Sequence, residues 1–130
     1  MFLVDTNVVS ELARPQPNHG VLAWAGKVKN VVLSVITVEE ILYGLAWKPN
    51  ARVQAWFEAF LDGYCQVLQI SPEIAKACSK LRGELQSKGI SRSQADMFIA
   101  ATAQIHQLTI ATRNVRDFEG CGIALLNPFN

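Results

Sequence analysis

Four acidic residues stand where an ordinary surface carboxylate has little reason to be: Asp5, Glu40, Asp96 and Asp117. Asp5 closes the apolar run Phe2-Leu3-Val4. Asp96 shares a helical face with Ile99, Ala100 and Ala103 and is followed by Met97 and Phe98. A carboxylate on a core-facing stripe costs several kcal/mol unless something cationic meets it. Arg92 lies close enough in sequence to be that partner, and a metal ion is the other candidate. Glu40 falls one turn into a helix that follows an apolar strand, and Thr112, Asn114 and Asp117 follow another such strand. Acids gathered at one place raise each other's pKa, and a divalent cation removes that penalty. Oxygen-only ligands favour a hard ion, Mg²⁺ or Mn²⁺. His19 and His106 fall outside the set, which argues against a zinc hydrolase.

Each acid also has a plainer reading. Asp5 can cap a helix, and Glu40 can close a capping box with Thr37. Asp96 can be a first-turn acid paired with Arg92, and Asp117 can be a turn residue.

The elements that must position these residues alternate. Phe2–Val4 reads as a buried strand, followed by a helix through Val8, Val9 and Leu12 that stops at Arg14-Pro15-Gln16-Pro17. Asn18 caps a second helix carrying Val21, Leu22 and Trp24. Residues 31–36 form a second strand, and Thr37-Val38-Glu39-Glu40 opens a helix that Pro49-Asn50 breaks. Val53, Trp56, Phe57, Phe60 and Leu61 mark one face of the next helix. Residues 67–70 are a third strand. Ser71-Pro72-Glu73 starts a helix running to about Lys88, with Gly89 at its end. Ser93 caps the helix that carries Asp96. Residues 108–111 and 123–126 are the last two strands. Strands that are continuously apolar and alternate with helices predict a three-layer α/β/α fold with a mostly parallel sheet of about five strands. In such sheets, ligands sit beyond the carboxyl ends of the strands, where these acids are expected to meet.

The 130 residues fit one domain, half of them are hydrophobic and 18% are charged, which excludes a disordered chain. No apolar run approaches the ~18–20 residues of a membrane span. Met1 to Asp5 lacks the basic start of a signal peptide. Three cysteines without CxxC spacing (Cys65, Cys78 and Cys121) read as reduced thiols of a cytoplasmic protein. Trp47, Trp56, Phe57 and Phe60 are divided between core and a possible dimer patch.

The sequence resembles the PIN-domain family across its whole length, and within it the VapC-like toxins of the FitB-type branch. FLVDTNVVSEL, LSVITVEEILYGL, QADMFIAATA and LTIATRNVRDF match the family's four motifs in order, and the tail IALLNP also fits. The resemblance implies a single PIN domain over residues 1–130 and a Mg²⁺-dependent (or Mn²⁺-dependent) endoribonuclease with Asp5, Glu40, Asp96 and Asp117 as its acids. Asp5 and Asp96 match the positions that bind metal directly. Thr6, Asn7 and Thr112 match polar supports. Asn114 stands where many relatives carry an acid, so it supplies no charge. The resemblance further implies a homodimer, held inactive by a cognate VapB/FitA-like antitoxin.

The expected reaction is metal-assisted hydrolysis of an RNA phosphodiester. Setting aside the four acids leaves 12 basic against 7 acidic residues, a surplus able to attract a phosphate backbone. Arg82, Arg92 and Arg113 are the candidate RNA contacts, with Lys88 and Arg116 near them. A dehalogenase-like phosphatase needs a second acid where Asn7 stands, and a receiver domain needs a lysine beyond Lys88. The alternative of a different class is a catalytically silent PIN scaffold that binds RNA or a protein partner.

Overall fold

A computed structural model describes residues 1–130. Five strands, β1 (Phe2–Val4), β2 (Val31–Ser34), β3 (Cys65–Leu68), β4 (Thr109–Ala111) and β5 (Leu125–Leu126), form one sheet in the order β3-β2-β1-β4-β5. Every pairing is parallel, with Leu3 opposite both Val32 and Ile110. Six helices connect the strands: α1 (Thr6–Leu12), α2 (His19–Lys27), α3 (Val35–Trp47), α4 (Ala51–Gly63), α5 (Pro72–Ser87) and α6 (Gln94–His106). A 3-10 turn spans Val115–Phe118.

Successive residues of a strand point to opposite faces, and here both faces are covered. Leu3, Val32 and Ile110 pack under α5 and α6 with Ile74, Leu81, Met97, Ile99 and Phe118. Val4 and Leu33 pack on the other face with Val8, Val9, Val21 and Phe57. That two-sided burial is why the strands read as unbroken apolar runs. The three cysteines are free thiols. No helix is long and apolar enough to cross a membrane.

Local signals placed most helix starts. Asn18, Asn50, Ser71 and Ser93 each accept backbone N–H groups of the helix they precede. Gly89 follows α5 with φ +79°, a left-handed conformation that suits glycine.

Three boundaries differ from the sequence reading. β2 ends at Ser34, whose hydroxyl accepts from the Ile36 N–H, so α3 begins at Val35 and Thr37 is not its cap. Thr37 is buried in the first turn instead, facing α1. β3 lies two residues earlier than 67–70 because its register is set by pairing with β2, Val31 opposite Cys65. β5 keeps only Leu125–Leu126, paired with Ile110 and Ala111. Of the four aromatic residues left open, Phe57 is fully buried, Trp56 and Phe60 are partly buried against the core, and Trp47 is 70% exposed.

Candidate metal-dependent active site

The strand order reverses at β1, with β2 on one side and β4 on the other, and such a switch point leaves a crevice at the carboxyl edge. Asp5 leaves β1 there and Thr112 leaves β4. Asp5 is buried and caps α1, its Oδ1 accepting from the Thr6 N–H at 2.8 Å. Its Oδ2 accepts from the Thr112 hydroxyl at 2.7 Å and from Asn7 Nδ2 at 3.1 Å. Asn7 Oδ1 in turn accepts from the Arg113 N–H at 3.1 Å, and Thr112 Oγ1 accepts from the Asn114 N–H at 3.0 Å. The side chains of Asn7 and Thr112 therefore lock the β4 exit onto the β1 exit.

A second group of bonds brings α3 to the same crevice. The Thr6 hydroxyl donates to Glu40 Oε1 at 2.7 Å and lies 3.1 Å from the Thr37 hydroxyl. Glu40 therefore faces α1, and no capping box forms. Thr37 was missed as a member of this network. The signal for it was the same as for Asp96, a polar residue on a buried helical stripe.

Asp96 sits in the first turn of α6, its N–H donating to the Ser93 hydroxyl at 3.1 Å. Asp117 lies in the 3-10 turn, which Arg92 ties down. One guanidinium nitrogen donates to the Asp117 carbonyl at 2.7 Å and another to the Glu119 carbonyl at 2.9 Å. Arg92 thus positions the turn through its backbone and forms no ion pair with Asp96. The one ion pair in the structure, Arg14–Glu11, lies at the far end of α1 from Asp5. All four acids are left without a cationic side chain in contact.

The electrostatics reflect this. Burial pushes the Asp5 carboxyl above its usual range, the Thr112 and Thr6 hydrogen bonds pull it back, and the charge of Glu40 pushes it up. Asp96 is also raised, first by burial. The Ser93 hydroxyl opposes that shift, the charges of Asp5 and Asp117 add to it, and Arg92 opposes it. The crevice therefore couples Asp5 to Glu40, and Asp96 to both Asp5 and Asp117.

No three acid, histidine or cysteine side chains close into a cage that ligates one ion directly. Mg²⁺ does not need one, since it takes one or two carboxylates and keeps several waters. Mutually repelling oxygen ligands without a cation fit a hard divalent ion.

The remaining candidate residues divide. Arg113 is exposed at the β4 exit, beside the acids, and its guanidinium lies 4.9 Å from the Phe129 ring centre. Arg113, Asn114, Arg116 and Asp117 line an open hollow of about 300 Å³. The Asn114 side chain bonds none of the acids; its backbone N–H donates to the Thr112 hydroxyl. Arg82 is exposed on α5, where its charge acts on Cys78, and nothing ties it to the crevice.

An open, wholly parallel α/β sheet with an acid set at its switch point, Asp5 buried and Glu40, Asp96 and Asp117 partly exposed, defines the class: an α/β domain with oxygen ligands at the carboxyl edge of its strands. A PIN-domain profile matches residues 2–120, and the chain belongs to the PIN-domain family. It is 36% identical to toxin FitB of Neisseria gonorrhoeae, over 100% of this chain and 99% of that protein. It is 34% identical to the VapC ribonuclease Y4jK of Sinorhizobium fredii, over 99% and 98%. Among solved structures, a toxin–antitoxin complex from Klebsiella pneumoniae superposes with TM-score 0.78 at 27% identity, covering 100% of this chain and 99% of that one. Nucleases of this family are in general metal-dependent.

Proposed function

We propose that this chain is the ribonuclease toxin of a toxin–antitoxin pair, hydrolysing RNA phosphodiester bonds with Mg²⁺, or Mn²⁺ in its place. The observation that carries the reading is the set of four acids at the switch point, their charges raising the pKa of Asp5 and Asp96, with no cationic side chain within ion-pairing distance of any of them. The full-length likeness to a ribonuclease and to a toxin supports the activity. The likeness to a toxin–antitoxin complex supports a cognate antitoxin as partner. A homodimer of such single domains is part of the same reading.

Asp5 and Asp96 would hold the ion, with Glu40 and Asp117 completing the negative rim. When bound, the cation supplies charge neutralisation at the phosphate and a water made acidic enough to attack near neutral pH. Thr112 and Asn7 hold the Asp5 carboxylate in one orientation, the supporting layer that metal ligands require. Thr6 does the same for Glu40. Arg92 holds the turn that presents Asp117. Arg113 and Arg116 stand beside the acids, where they attract the RNA backbone once the rim is neutralised.

The decisive experiment is cleavage of a structured RNA by purified, antitoxin-free protein. Cleavage with Mg²⁺ or Mn²⁺, absent with chelator and absent in Asp5→Asn and Asp96→Asn variants that remain folded, is the expected result. Cleavage indifferent to chelator and to both substitutions would overturn the mechanism. RNA binding with no cleavage by the wild-type protein would replace the enzyme with a silent scaffold.

A further inference from the structure

The C-terminal four residues form a strap from the β4 exit to the start of α2. The chain leaves β5 next to the β4 exit, where the Thr112 N–H donates to the Leu126 carbonyl at 2.9 Å. It then reaches the start of α2. Asn130 Oδ1 accepts from the Gly20 N–H at 3.2 Å, the Asn130 N–H donates to Asn18 Oδ1 at 3.2 Å, and Asn18 Nδ2 donates to the Asn130 carbonyl at 3.3 Å. The approach is close enough to require glycine: a Cβ at Gly20 would lie 2.6 Å from the Pro128 carbonyl oxygen and 2.9 Å from the Asn130 nitrogen. Pro128 is buried, and Phe129 is partly buried against the core. An anchored ring with a guanidinium 4.9 Å from its centre is a cation–π platform, and the guanidinium is that of Arg113.

We propose that Phe129 is a positioning residue for RNA binding: its ring holds the Arg113 guanidinium at the mouth of the hollow beside Asp117, where it receives a backbone phosphate of the RNA. The inference rests on the ribonuclease reading for the identity of the ligand. Arg113 also extends from a fixed backbone, its N–H bonded to Asn7. A long side chain held at both ends loses less freedom on meeting a phosphate, which is where pre-organisation gains affinity. Arg116, Asn114, Val115 and Asp117 line the same open hollow, which has room for a backbone phosphate.

The test uses the full chain and a fluorescein-labelled single-stranded RNA 20-mer, with affinity read by anisotropy in Ca²⁺, a dication that neutralises an acidic rim without the octahedral geometry Mg²⁺ demands, and with the RNA checked to be intact on a gel so that cleavage plays no part. Phe129→Leu keeps apolar bulk and removes the π face. Phe129→Trp keeps the face. The expected result is that Phe129→Leu and Arg113→Ala each weaken binding about threefold to fivefold, the scale of an exposed cation–π contact. The double variant should be no weaker than Arg113→Ala, and Phe129→Trp should match the wild type. In cleavage assays with Mg²⁺, Phe129→Leu should raise KM and leave kcat unchanged. Unaltered affinity in Phe129→Leu, additive losses in the double variant, or no RNA binding by the wild-type protein would overturn the inference. Wild-type protein that cleaves while Phe129→Leu is unchanged rejects the strap and leaves the ribonuclease standing. Wild-type protein that binds with the expected pattern and never cleaves rejects the ribonuclease and leaves the strap.

Discussion

The Thr112 hydroxyl donates to Asp5 Oδ2 at 2.7 Å, joining residues 107 positions apart across the point where the sheet changes direction. The Thr112 hydroxyl oxygen itself accepts from the Asn114 N–H. One hydroxyl therefore orients a site carboxylate and satisfies a backbone donor at the start of the following turn.

Thr112→Val keeps the shape and removes both bonds. Asp5 Oδ2 keeps Asn7 as a partner and the exposed Asn114 N–H turns to water, so the loss is that of one hydrogen bond to a charged group, about 1.5–3 kcal/mol. Denaturant unfolding should show the midpoint falling with an unchanged slope. Asp5 also loses the strongest interaction holding its pKa down, so the acidic limb of the cleavage profile should move to higher pH. Thr112→Ser should restore most of both effects.

Asp96→Asn removes a charge that repels Asp5 and Asp117. In chelator at pH 7 its Tm should equal or exceed that of the wild type. Millimolar Mg²⁺ should raise the wild-type Tm, because a ligand that binds only the folded state stabilises it. It should leave the variant's Tm unmoved, and cleavage should be lost. An equal Mg²⁺-induced rise in both proteins would remove Asp96 from the metal site.

The pH dependence of the metal-free protein should run opposite to the usual acid unfolding. Asp5 and Asp96 have folded-state pKa values above their ordinary 3.8. The folded protein then binds more protons than the unfolded chain between the ordinary and the raised values. Their contribution to stability is fully present below the ordinary value and is lost as pH rises through the raised ones. Mg²⁺ competes with those same protons, so its binding should weaken as pH falls from neutral toward the raised values. Glu40→Gln lowers Asp5 by removing one repelling charge, so Mg²⁺ binding should persist to lower pH. Calorimetric titration of Mg²⁺ across pH 5–8 checks both signs.

Arg92→Ala releases two backbone carbonyls of the turn that carries Asp117. Hydrogen bonds from a charged donor contribute about 1.5–3 kcal/mol each where they are buried, and somewhat less here at the surface. The expected result is a lower kcat with little change in KM, since Arg92 acts by placing an acid. A rise in KM alone would return Arg92 to the RNA-contacting group.

The backbone plan was legible because it rests on local chemistry. Phe2–Val4 is short, apolar and followed by a capping acid, and Ser71-Pro72-Glu73 allows only a helix start. The acids were legible through their misfit, above all Asp96 on an apolar stripe. Long-range pairing was hidden. Thr37 and Glu40 spell a capping box locally, but Thr6, more than thirty residues earlier, claims both side chains. Arg92 reads as the partner of Asp96, four positions away, yet its bonds go to carbonyls 25 and 27 positions on. The register of β3 depends on β2, and the closing strap depends on Gly20, so neither is written in its own segment.

Asp5 caps α1 with one oxygen while Thr112 and Asn7 hold the other at the β4 exit. One carboxylate thus serves the helix cap and the proposed site together: asparagine there keeps the capping oxygen and loses the charge, whereas alanine loses both. A lineage under pressure to disarm this protein would find Asp96 or Asp117 the cheaper residue to lose, and inactive natural copies should retain an aspartate, or an asparagine able to imitate it, at the fifth position.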